Sequence, residues 1–153
     1  MKISWLCKPF DELTTTELYE ILYLRQEVFI VEQNCPYQDC DRKDFSSLHL
    51  MGFNENNDLL AYSRIVEPGI SYDEVSIGRV ITRPAFRKCG FGKLLISEVI
   101  KIIKQHYGNV SIRIGAQSYL LDFYAAFGFE TLEPYMEDGI PHHIMLRKSI
   151  GLH

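Results

Sequence analysis

The sequence predicts an α+β (mixed α/β) fold, a central mixed sheet of about six or seven strands with helices on both faces. Three observations lead there. Short runs rich in β-branched and aromatic residues recur at 48–53, 59–66, 74–82 and 110–115. One long amphipathic stretch, 92–107, lies between the last two of them. The polar cluster Asn54-Glu55-Asn56-Asn57-Asp58 separates the first two by the few residues a hairpin needs. A length of 153 residues is expected to form one domain spanning the chain, large enough to fold on its own core without disulfide or metal staples.

The elements follow in order. Residues 3–8 open as a short strand. Thr14-x-x-Glu17 is a capping box, in which two helix-end donors are satisfied reciprocally. The helix it opens carries Leu18, Ile21, Leu22, Val28 and Phe29 at helical spacing. Residues 33–44 form a long polar loop, and such loops within compact domains tend to carry function. The stretches 48–53 and 59–66 make a hairpin, and 74–82 is a further strand. The 92–107 helix places Leu95, Ile96, Val99, Ile102 and Ile103 on one face and Lys93, Ser97, Lys101 and Lys104 on the other. Residues 110–115 alternate as a strand. Ser118 caps a short helix reaching Phe127, and Gly128 stands where a left-handed residue ends it. Two last strands, 130–136 and 142–148, flank the turn Glu137-Asp138-Gly139-Ile140-Pro141.

Composition excludes several classes. Lys+Arg total 16 against 20 Asp+Glu, a formal charge of −4. A nucleic-acid binder needs a basic surplus, so none is expected. No apolar run approaches the ~18 residues of a membrane span. The opening stretch from Met1 to Pro9 has no long apolar core, so a cytoplasmic protein is expected. The four cysteines, Cys7, Cys35, Cys40 and Cys89, lack the spacing of a zinc site. Free thiols and no metal are expected.

The chemistry concentrates in Arg87-Lys88-Cys89-Gly90-Phe91-Gly92-Lys93, after a strand and before the longest helix. Glycines let a backbone approach a ligand closely, and free N–H groups at a helix start attract an anion. Arg87, Lys88 and Lys93 add positive charge. A Walker loop does not fit, because Leu94 follows Lys93 and no glycine lies five residues before Gly92. A dinucleotide fingerprint does not fit either, because Leu95 stands where its third glycine belongs.

The stretch from Val80 to Gly92, which ends in Arg87-x-x-Gly90-x-Gly92, resembles the first signature of the GNAT superfamily of acetyl-CoA-dependent N-acetyltransferases. Gln117-Ser118-Tyr119-Leu120-Leu121-Asp122-Phe123-Tyr124 resembles its second, with Gln117 where the family usually carries Asn. Leu24-Arg25-x-x-Val28-Phe29-Ile30-Val31-Glu32-Gln33-Asn34-Cys35-Pro36-Tyr37-Gln38-Asp39, Ile77-Gly78-Arg79-Val80, Gly115-Ala116-Gln117 and Glu137-Asp138-Gly139-Ile140-Pro141-His142 resemble the ElaA-type branch.

That resemblance implies the acyl-CoA N-acyltransferase fold, with acetyl-CoA as co-substrate and an amine as acceptor. The diphosphate would lie on Arg87, Lys88, Cys89, Gly90, Phe91, Gly92 and Lys93. The pantetheine arm would pair with the strand edge at Val80, Ile81 and Thr82, near Gln117 and Tyr124, where neighbouring strands splay. A backbone N–H near Val80 or Ile81 would face the carbonyl oxygen as it gains charge. Tyr124 would be the acid that protonates the departing sulfur. Bare residue patterning would place the same Tyr124 among core aromatics. A base must deprotonate the acceptor, and the candidates are Glu32, Asp39, Asp41, Glu74 and His142. Tyr124, Glu32 and His142 make up the expected catalytic set. Asp39, Asp41 and Asp44 could receive a cationic acceptor or simply keep the loop soluble. A non-catalytic acetyl-CoA sensor or an adaptor module on the same fold is the alternative function. Either a monomer or a homodimer fits the exposed sheet edges such a fold leaves.

Overall fold

The computed structural model describes residues 2–149; Met1, the first residue of the opening stretch read above, lies outside them. Seven strands and three α-helices run in the order β1 (Ser4–Pro9), α1 (Thr15–Arg25), β2 (Ser47–Phe53), β3 (Leu59–Val66), β4 (Ser76–Thr82), α2 (Phe91–Tyr107), β5 (Ile112–Gln117), α3 (Leu121–Ala125), β6 (Glu130–Glu137) and β7 (Ile140–Arg147). Helix α1 starts on the expected capping box, with Thr14 accepting from the Glu17 N–H at 3.0 Å and Glu17 accepting from the Thr14 N–H at 2.8 Å. It continues into a π-helical segment, Gln26–Glu32, of the kind that often marks a functional site. Among the described residues, no helix is long and apolar enough to cross a membrane.

The expected single sheet is parted. Strands β1-β2-β3-β4 form one antiparallel sheet and β5-β7-β6 another. The halves meet through one parallel bridge, Val75 to Ile112, reinforced by the Arg113 N–H donating to the Val75 carbonyl at 3.1 Å. Past that bridge, β4 runs along its far edge without a strand neighbour among the described residues. A bulge bends β4 as it leaves. Tyr62 pairs with Ile81 and Arg64 with Gly78, so Arg79 and Val80 together oppose Ser63. Arg79 takes φ 52°, the left-handed conformation that lets the extra residue fit.

Each face of the larger sheet has its own core. Helix α2 lays Leu95, Ile96, Val99, Ile102 and Ile103 on Leu50, Ala61, Ile65 and Ile77 and reaches Ile112, Ile114 and Met145 of the smaller sheet. On the other face, Ile21, Leu24 and Val28 pack on Met51, Leu59, Tyr62 and Ile81. A fully buried side chain of this kind contributes about 1.5–3 kcal/mol. The α2 core spans both sheets, so that helix holds the two halves together while β4 and β5 diverge. The β6–β7 turn is tighter than the sequence suggests. Asp138 and Gly139 alone form it, at φ 50° and 76°, the two positive values of a type I′ hairpin.

Candidate active site

A cleft of about 850 Å³ occupies the gap between β4 and β5. At one end stands the glycine loop. Gly90 takes φ 78° directly before α2, and no side chain caps the helix; its first turn also holds no acidic residue. The first-turn N–H groups therefore have no intrahelical partner, and they carry the positive end of the helix dipole. Arg87 and Gly92 line the cleft. Lys88, Cys89, Gly90 and Lys93 are exposed around them, while Phe91 turns inward at 5% exposure. A Cβ at Gly92 would stand 3.7 Å from the Phe123 ring, so the protein itself leaves room there. Arg87 is not the free cation the sequence suggests. Its Nη2 donates to Glu32 at 2.7 Å and its Nε to the Thr82 carbonyl at 3.3 Å.

Along the middle of the cleft run Val80 and Thr82. Ile81 points its side chain the other way, into the α1 core, so only its main chain belongs to this edge. Gln117 and Tyr124 face the edge from across the gap. Tyr124 is 6% exposed and packs edge-on against Phe123 and Phe129, at 5.2 and 5.8 Å between ring centres. It is thus both a core aromatic and a lining residue of the cleft. Burial, with Tyr119 nearby, pushes its phenol well above the ordinary tyrosine range, which keeps the proton on the oxygen.

At the far end, strand register gathers His142 with its neighbours. It pairs with Gln117 on one side and Tyr135 on the other, and is 7% exposed. Its Nδ1 lies 2.7 Å from the Ile140 carbonyl. A carbonyl only accepts, so Nδ1 carries the proton and Nε2 faces Glu137 Oε2 at 3.4 Å. The Tyr135 hydroxyl hydrogen-bonds both Tyr72 and Glu137. Gly115 is required beneath it, since a Cβ there would overlap that hydroxyl.

The base candidates separate cleanly. Glu32 lines the cleft but spends its carboxylate on Arg87. Glu74 is held by both Nε and Nη2 of Arg113, at 3.0 and 2.9 Å. Asp39, Asp41 and Asp44 neither float in solvent nor await a cation. Asp39 bonds Arg25 at 2.9 Å and Arg79 at 2.8 Å, Asp41 bonds Arg64 twice at 2.7 Å, and Asp44 bonds Arg25 at 2.7 Å and Arg64 at 3.1 Å. Burial alone would raise the Asp41 carboxyl; its Arg64 hydrogen bonds and charge overcome that and hold it well below the usual range. A carboxylate so held is a poor base. The three arginines opposite them were missed by sequence reasoning. Arg64 offered a signal, a charged residue amid the apolar run 59–66, because a charge in such a strand needs a buried partner.

Comparison with known proteins agrees with this architecture. Residues 21–149 match the family model described as an acetyltransferase (GNAT) domain. Protein ElaA of Escherichia coli is 41% identical over 151 residues, covering 97% of this chain and 98% of that protein; its crystal structure superposes with a TM-score of 0.89. The crystal structure of an acyl-CoA N-acyltransferase from Pseudomonas aeruginosa is 38% identical with a TM-score of 0.90, covering 95% of this chain and 99% of that one. An aminoglycoside 6′-N-acetyltransferase complexed with coenzyme A shares the fold at 13% identity and a TM-score of 0.71, over 97% of this chain and 99% of that one. On sequence and on fold alike, the chain belongs to the GNAT acetyltransferase family.

Proposed function

We propose that the protein is an N-acetyltransferase that moves an acetyl group from acetyl-CoA to a primary amine, with the whole chain acting as one transferase domain. The observation that carries this reading is the single cleft joining three surfaces. They are an uncapped helix start, an unpaired strand edge and a pair of proton-handling groups, Tyr124 and His142.

Each surface suits one part of the co-substrate. The N–H groups at the start of α2 hold the diphosphate. The free edge of β4 pairs with the amides of the pantetheine arm, as an added strand would. The thioester supplies the activated acetyl group. At the bulge, the N–H groups near Val80 and Ile81 donate toward its carbonyl oxygen. The free amine of an acceptor has a pKa of ~10.4, so it arrives protonated at neutral pH. His142 takes that proton on Nε2, the nitrogen its bond to Ile140 leaves available, and Glu137 steadies the resulting charge. Tyr124 holds the second proton at Oη for the sulfur that leaves. Glu32 stays at the mouth with Arg87, where it orients the arginine.

Titration calorimetry with acetyl-CoA, followed by thiol release over an amine panel, tests the proposal. Saturable binding and acceptor-dependent release are expected. A protein that binds no acetyl-CoA would overturn the reading.

A further inference from the structure

We propose that the acceptor bears a carboxylate as well as its amine, and that Arg64 Nε, on the β3 floor of the cleft, holds that carboxylate. This rests on the transferase reading above, and it adds the chemical class of the acceptor.

Arg64 is 4% exposed and lines the cleft. Its two Nη atoms are spent on Asp41 and Asp44. Among the described residues, its Nε is the buried side-chain nitrogen with no hydrogen-bond partner. A buried donor left unpaired costs most of its desolvation energy, so such an atom in a cleft marks a place for an acceptor atom.

The position opposite it on β4 is Gly78. Its φ lies outside the left-handed region, and a Cβ there would meet only Arg64 Nε, at an ordinary 3.8 Å. Neither backbone conformation nor packing calls for glycine at 78. What the missing side chain leaves is a position on the cleft wall whose one neighbour within 4 Å is the orphan donor.

Charge decides what kind of group enters. Arg25, Arg64 and Arg79 are matched by Asp39, Asp41 and Asp44 in one network. Lys43 tips the balance. It lines the same cleft, its N–H donates to Asp41, and its Nζ donates to the uncharged Ser71 hydroxyl at 3.0 Å. This end of the cleft is therefore cationic. The next residue, Tyr72, hydrogen-bonds Tyr135, which in turn reaches Glu137 beside His142. An anionic group, Glu137, and a cationic pair, Lys43 and Arg64, thus line one cleft, with Ser71, Tyr72 and Tyr135 linking the two. A molecule carrying an ammonium and a carboxylate, an amino acid or a peptide-like amino acid end, matches both. With the carboxylate held at Arg64, its amine faces His142.

Thiol release is measured with acetyl-CoA and glycine, β-alanine, 4-aminobutyrate and 6-aminohexanoate, each beside its carboxamide. One carboxylate at least is expected to exceed its carboxamide in kcat/KM by about tenfold or more, the worth of a charge-assisted hydrogen bond. Gly78→Ala, which covers Nε with a methyl group, and Lys43→Gln should each bring that ratio close to one. Acetyl-CoA affinity by calorimetry reports that the variants remain folded. Carboxamides accepted as well as carboxylates, or a preference that survives Gly78→Ala, would overturn the proposal. An NMR titration of the same carboxylates is run in parallel. Binding weakened by Gly78→Ala, with no thiol release from any amine, would keep the anion site and discard the transferase reading. No carboxylate binding and no carboxylate preference would discard the site.

Discussion

Tyr124 is both a packed core ring and a lining residue of the cleft, and the proposed acid role rests on it. Its ring is fixed by Phe123 and Phe129, and its buried hydroxyl keeps its proton far into the alkaline range. Tyr124→Phe preserves that packing and removes the proton. Turnover should fall roughly 100-fold with acetyl-CoA affinity retained, read by steady-state thiol release beside calorimetry. Unchanged turnover would reassign Tyr124 to the core alone. The place of Tyr124, Gln117 and His142 at the cleft was legible in the sequence because the family signatures mark the first two and the final turn marks the third. The pairing of Arg25, Arg64 and Arg79 was not, and the acidic triplet in the 33–44 loop, read as receiving a cationic acceptor or keeping the loop soluble, is instead bound to these arginines. The reason is separation along the chain. Asp39 reaches Arg79 across 40 residues and Asp41 reaches Arg64 across 23, and no local pattern encodes either pairing.

At the scale of elements, periodicity served well wherever a single segment sets its own structure. The strand at 59–66 and the helix at 92–107 sit within a residue of their expected bounds. The strand expected at 110–115 lies two residues later, at Ile112–Gln117, where pairing with β7 begins. The parting of β4 from β5 was expected only through the family resemblance, and the bulge at Arg79 could not be read, since both depend on which strands pair. The glycine loop was legible, and Gly92 tests it. A methyl group at 92 fits beside Phe123, so Gly92→Ala should weaken acetyl-CoA binding only slightly. Gly92→Glu would set a carboxylate against the proposed diphosphate site, a like-charge contact costing several kcal/mol. Calorimetry should find binding about 100-fold weaker or lost; retained affinity would place the diphosphate elsewhere.

Across the whole molecule, the buried ionic network ties the 33–44 loop to α1, β3 and β4, and so shapes the end of the cleft proposed to take the acceptor. Removing one partner leaves charges buried without compensation. Arg25→Ala strips Asp39 and Asp44 of a guanidinium and should cost about 3–5 kcal/mol in a urea titration. The network also sets the response to acid. His49 accepts from Tyr62 at Nδ1 and donates from Nε2 to the Asp44 carbonyl, at 2.7 and 2.9 Å. Burial lowers its pKa in the fold, overriding the opposing pull of Asp44. The Asp41 and Asp44 carboxyls are also lowered: burial pushes each up, but the facing arginines prevail. In all three the unfolded chain binds the proton first, so their stabilisation is present above the unfolded values and lost as pH falls. The melting temperature should decline below about pH 6.5 through His49 and fall more steeply below about pH 4 through the aspartates. His49→Gln should flatten the upper limb; a decline of the same shape in that variant would assign the limb to another group.

The most direct measurement is a crystal structure of the protein with coenzyme A. The diphosphate is predicted to lie on the main-chain N–H groups between Lys88 and Lys93, with the pantetheine arm along Val80 and Thr82 and the sulfur beside Tyr124. Coenzyme A bound away from the gap between β4 and β5, or running along it with the diphosphate clear of the α2 start, would contradict the account.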